Sequence, residues 1–107
     1  MKTSLIYLLP ILAMAGCASA PNSPSVTLTT SKSPGEYAQC ILPKWQAERP
    51  GTQMTQHREL YTLTAPSGIA ADQILEVHKT STGSQVALYL RGAVLRTRLE
   101  KHARSCL

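Results

Sequence analysis

QILEVHKT (Gln73–Thr80), STGS (Ser81–Ser84) and QVALYLR (Gln85–Arg91) together form the most strongly patterned stretch of the chain. Val86, Leu88 and Leu90 alternate with Ala87, Tyr89 and Arg91, the period of two that places one set of side chains on a buried sheet face and the other towards water. Two β-favouring runs separated by a short Ser/Thr/Gly segment read as an antiparallel hairpin. The hairpin is the centre from which the remaining elements are placed.

Upstream of it, TQMTQHRELYTLT is rich in Thr, Tyr and Leu and alternates only in part. It is expected to supply one further strand, strongest from Arg58 to Thr64, giving a three-stranded antiparallel meander. Ala65-Pro66-Ser67-Gly68 breaks the pattern, and Ile69–Asp72 stays open between a short helix and a strand. Earlier still, SPGEYAQCILPKWQ begins with Ser33, has Glu36 three positions later and Pro34 at the first helical position, which is a helix start with both ends of a capping box in place. Tyr37, Cys40, Ile41 and Trp45 recur on one helical face, and Pro43 is expected to end or kink the helix near Leu42. Downstream, Ala93–Cys106 contains no Pro or Gly and carries Leu95, Leu99, His102 or Ala103, and Cys106 at steps near the helical period. The fold class is therefore α+β: an N-terminal helix, the meander and a C-terminal helix, with both helices on one face of the sheet.

A domain of residues 34–107 is small enough for its apolar core alone to leave it marginally stable. Cys40 and Cys106, each on the inward stripe of its helix, are expected to form a disulfide across most of the domain. That expectation requires an oxidising compartment, and the first residues of the chain address it.

MKTSLIYLLPILAMAGCASAP has Lys2 ahead of an apolar run from Leu5 to Met14, about half the roughly 20 residues a helix needs to span a bilayer. A short basic segment, a short apolar segment and small residues after it have the layout of a secretory signal peptide. Met14-Ala15-Gly16-Cys17 resembles the lipobox of bacterial lipoproteins, in which a peptidase cuts before a cysteine already thioether-linked to diacylglycerol. The resemblance covers only the first 17 residues, and Met14 stands where Leu is most common. It implies removal of residues 1–16, a lipid on Cys17, acylation of the new amino terminus and stable attachment to a membrane. With Ala18 rather than Asp after the cysteine, it implies the periplasmic side of the outer membrane. Residues 17–33, rich in Ser, Thr and Pro, are expected to form a lipidated, disordered tether reaching about 20 Å as a flexible coil and about 50 Å when extended.

Loss of the signal peptide removes Lys2 and leaves ten Lys and Arg against six Asp and Glu. Most of the excess lies in the last helix, where Arg96, Arg98, Lys101 and Arg104 are accompanied only by Glu100. Such a cluster is either a solvated face, with its last cations favoured by the helix dipole, or a surface that attracts an anionic partner. Arg96, Arg98, Lys101 and Arg104 are the candidate partner-binding residues. The partner is expected to be an acidic envelope protein or another anionic envelope component. Nucleic acid is not expected, because the single Trp and the four Tyr are not interleaved with the cations.

No nucleophile motif occurs, and His57, His78 and His102 are scattered. His57 and Glu59, two apart on the expected strand, would share a face that His78 could neighbour, but surface histidines on strands are usually polar residues facing water. No enzyme, cofactor or metal is expected. The functional expectation is a non-catalytic accessory or interaction module of the cell envelope. The alternative is a ligand-binding or inhibitory lipoprotein that captures an anionic small molecule, a glycan or a foreign protein.

Overall fold

The computed structural model describes residues 23–66, 72–92 and 94–107. The expected signal peptide, Cys17, Ala18 and residues 69–71 of the open Ile69–Asp72 segment lie outside the described residues. No helix among the described residues is long and apolar enough to cross a membrane.

The elements are β1 (Val26–Thr30), α1 (Pro34–Glu48), β2 (Gln53–His57), β3 (Leu60–Ala65), β4 (Gln73–Thr80), β5 (Gly83–Tyr89) and α2 (Val94–Ser105). They form an α+β fold in which two helices pack on a five-stranded antiparallel sheet of order β1-β5-β4-β3-β2. The expected helix–meander–helix plan is correct in its central part and two strands short. Both missing strands are defined by the ladders they form with their neighbours.

β4 and β5 form the expected hairpin, with Leu75 opposite Leu88 and Val77 opposite Val86. The turn is tighter than the four residues expected, since Thr80 already pairs with Gly83 across Ser81 and Thr82. Gly83 has φ +155, and a Cβ there would run into the Thr30 carbonyl and the Ser31 backbone. Glycine at this position lets the end of β1 lie against the start of β5.

TQMTQHRELYTLT is a hairpin rather than a single strand: β2 and β3 pair from Gln53–Thr64 to His57–Leu60 around Arg58 and Glu59. Arg58 adopts φ 60, a left-handed conformation uncommon for a residue other than glycine. Its carbonyl accepts from Gln56 Nε2 at 3.0 Å. Arg-Glu is not a typical turn dipeptide, which is why the break in alternation reads as an irregular strand.

Val26–Thr30 corrects the expectation of a disordered tether throughout 17–33. Val26 and Leu28 face the core side and alternate with Thr27 and Thr29, and the strand pairs with β5 from Val26–Leu88 to Thr30–Ser84. Thr is poor in apolar area but fits a pleated sheet well, so a stretch that looks like a polar linker by composition becomes an edge strand once β5 offers it a ladder.

α1 starts as expected, with Ser33 and Glu36 forming a complete capping box and Pro34 in the first turn. It does not stop at Leu42 but runs through Pro43 to Glu48. The backbone bond that Pro43 cannot make falls on the exposed side of the helix, where Gln39 and Pro43 face water. Continuing the helix carries Trp45 into the core, where it is 0% exposed. Burial of such a side chain, worth about 3 kcal/mol, offsets a backbone bond whose carbonyl can be hydrated.

One core joins the layers: Leu28, Leu63, Leu75, Val77, Val86 and Leu88 from the sheet, Tyr37, Ile41 and Trp45 from α1, and Leu99, Ala103 and Cys106 from the C-terminal helix region.

Candidate binding surface

α2 carries the candidate site and is short of apolar residues. Leu99 and Ala103 are buried, Leu95 is half-buried, and Cys106 is buried just past the helix end. Side chains from elsewhere hold its backbone. The Tyr37 hydroxyl donates to the Ala103 carbonyl at 2.7 Å, and Trp45 Nε1 donates to the Leu99 carbonyl at 3.2 Å. Beyond the helix end, Lys32 Nζ donates to the Cys106 carbonyl at 2.7 Å and the Thr30 hydroxyl to the Leu107 carbonyl at 3.0 Å. Carbonyls in the last turn of a helix have no partner within it, and three of these four bonds supply one at or just past that turn. Cys40 and Cys106 form the expected disulfide, with S–S 2.03 Å and Cα–Cα 5.8 Å. It links α1 to the C-terminal end of α2.

With Leu99 and Ala103 inward, Arg98, Lys101 and Arg104 are exposed and Arg96 is half-buried. The four candidate cations share one helix but divide by partner. Arg98 Nη1 reaches Glu48 at 3.3 Å across the α1–α2 seam, and Arg104 Nη2 reaches Glu100 at 2.9 Å one turn back. Arg96 and Lys101 make no ion pair or hydrogen bond among the described residues. Lys101 lies between two open depressions, one bordered by Arg96, Glu100 and Arg104 and the other by Lys44, Glu48 and Arg98.

Glu48 also receives a hydrogen bond from His102 Nε2 at 2.9 Å. This bond, followed by that from Arg98, holds its carboxyl below the usual carboxylate range. The α1 residues Lys44 and Glu48 are absent from the sequence-based set. They are four apart on α1, flanking the buried Ile41–Trp45 stripe, a spacing that puts them on one side of α1 without revealing what faces it.

A second polar cluster occupies the outer face of the sheet. Glu76 Oε1 accepts from the Tyr89 hydroxyl at 3.4 Å and lies 3.2 Å from His78 Nε2. Partial burial, and then the Glu76 charge, push the Tyr89 phenol up. His57 and Glu59 do not share a strand face as expected, because His57 ends β2 and Glu59 lies in the following turn. Among the described residues no three potential metal ligands come together.

No family model matches the chain, and neither curated proteins nor solved structures give a match to it.

Proposed function

We propose that this chain is a lipid-anchored, non-catalytic interaction module of the bacterial cell envelope. It is held through Cys17 on the periplasmic side of the outer membrane, and the α2 cations engage an acidic envelope protein or another anionic envelope component. The observation that carries the proposal is the bracing of a cationic helix that buries little apolar surface of its own. A disulfide and four side-chain-to-backbone bonds fix the α2 region from neighbouring elements. Bracing of this kind lowers the entropy cost of binding, and like charges on a rigid surface act mainly on association rate and specificity. The open form of the depressions around Lys101 favours a broad partner surface over an enclosed small molecule.

The test begins with Cys17→Ser, which removes the atom that would carry the thioether. Loss of radioactive palmitate labelling and of membrane fractionation is the expected result, and undiminished labelling would end the anchor reading. Wild-type protein should band with outer membranes in a sucrose gradient, and steady residence in inner membranes would contradict the sorting reading from Ala18.

A further inference from the structure

We infer that the outward face of α2 docks on the anionic phospholipid surface of the leaflet that holds the anchor. The inference rests on the proposed lipidation of Cys17 and names the partner of the cationic face. Its starting point is β1, which shortens the tether. Ser25 is already tied to the sheet: its hydroxyl donates to the Leu90 carbonyl at 3.2 Å and accepts from the Leu90 amide at 3.0 Å. Eight peptide steps separate Cys17 from Ser25, a span of at most about 28 Å. The same two bonds place the tether's attachment beside Leu90, four residues before the first residue of α2, Val94. The domain thus meets the bilayer from the end at which α2 begins, and α2 itself, 12 residues long or about 18 Å, is shorter than the tether's reach.

The charge distribution selects which side turns to the lipid. The strand residues of the outer sheet face carry one carboxylate, Glu76, and no Lys or Arg. The helix side carries Arg96, Arg98, Lys101 and Arg104, with Arg96 and Lys101 unpaired among the described residues and the other two facing Glu48 and Glu100. Val94, 70% exposed, and Leu107 are the exposed large hydrophobics among the described residues, and they flank α2 at its two ends. Cations between exposed apolar side chains suit a phosphate-bearing interface with acyl chains beneath it. Each Lys or Arg near such a surface contributes modestly, but a tether of this length supplies an effective concentration in the millimolar range, so weak contacts suffice.

The experiment uses the mature lipidated protein in vesicles of three parts phosphatidylethanolamine to one part phosphatidylglycerol, with phosphatidylcholine vesicles as the neutral control. A fluorophore on Thr97→Cys should be quenched by a lipid-attached nitroxide in the anionic vesicles only, and 1 M salt should reverse the quenching. A fluorophore on Thr27→Cys, on the outer sheet face, should stay unquenched. Mature chain carrying Cys17→Ser should bind the anionic vesicles weakly, and adding Arg96→Gln with Lys101→Gln should weaken that binding about thirtyfold, about fivefold per cation, with an unchanged melting curve. If palmitate labelling shows no lipid on Cys17 yet this cation-dependent binding persists, the anchor reading fails and the docking surface stands. If the anchor is present but Thr97 is no more quenched in anionic than in neutral vesicles, the docking surface is overturned and the cationic face is left to a protein partner.

Discussion

The two helices of this domain are both amphipathic, but they are secured in opposite ways. α1 carries its own start signal, the Ser33–Glu36 capping box, and buries Tyr37, Ala38, Ile41 and Trp45 with no exposed surface on any of them. α2 buries only Leu99 and Ala103 within its length and has no acidic residue in its first turn. It is held instead by the disulfide and by side chains of α1, β1 and the β1–α1 connection that donate to main-chain oxygens of α2 and of the two residues after it. α1 is a structural helix that reaches out, and α2 is a chemical surface held in place. Separating the two jobs leaves one face of α2 free to carry cations that packing does not require.

The disulfide tests this division most severely. Cys40 and Cys106 are 66 residues apart, and a bridge closing such a loop is worth about 4 kcal/mol in the chain-entropy model. Replacing either cysteine by Ser should lower the melting temperature by roughly 20 °C, and hydrogen exchange should show α2 losing protection before α1. Equal loss in both helices would mean that the asymmetry is not real.

A smaller effect is expected at Tyr37. Tyr37→Phe keeps the ring and removes the donor to the Ala103 carbonyl, which retains a longer bond from the Cys106 amide at 3.4 Å. The cost should be about 1 kcal/mol, or about 4–8 °C in melting temperature. Burial also pushes the Tyr37 phenol well above its ordinary value. A phenol whose folded pKa is raised holds its proton more tightly in the folded state, so its contribution is complete below about pH 10, the unfolded value, and is lost as pH rises further. Melting temperatures between pH 9 and 11.5 should therefore fall for wild type and fall less for Tyr37→Phe. Tyr89, whose phenol is raised in the same direction, contributes to the slope that remains. Parallel curves for the two proteins would remove Tyr37 from the account.

The smallest change is expected on the exposed side of α2. Glu100→Gln breaks the pair with Arg104, an i,i+4 contact worth about 0.3–0.5 kcal/mol. The melting temperature should move by no more than about 4 °C. A larger drop would show that the cationic face helps to hold α2, contrary to the division of roles between the helices.

Much of this organisation is legible in local residue patterns. Ser33, Pro34 and Glu36 mark the start of α1 because capping is settled within one turn. The alternation through β4 and β5 is complete enough to identify the hairpin from residues alone. Leu95, Leu99 and Cys106 recur near the helical period, so the buried side of α2, and with it the exposed side bearing Arg98, Lys101 and Arg104, follows from spacing, while the choice of Ala103 over His102 as the fully buried residue comes from the structure. The Cys40–Cys106 pairing follows from two inward stripes and from there being no other cysteine after Cys17.

Other features depend on contacts that no local pattern contains. VTLTT alternates as clearly as many strands do, yet it is short, bordered by Pro24 and Pro34, and strand-like only against β5. Arg58 can turn the chain because β2 and β3 gain a ladder on either side, and Pro43 can stay helical because Trp45, two residues later, is drawn into the core. Lys44 and Glu48 join the candidate surface because α1 and α2 lie side by side. By itself the sequence determined the two helices, the central hairpin, the bridge and the inward and outward sides of α2, all features set by neighbours within a few turns or by a unique pairing. Only the tertiary structure decided that Val26–Thr30 joins the sheet, which cations are paired and which elements brace α2, because backbone hydrogen bonds and ion pairs between distant segments exist only once the chain has brought those segments together.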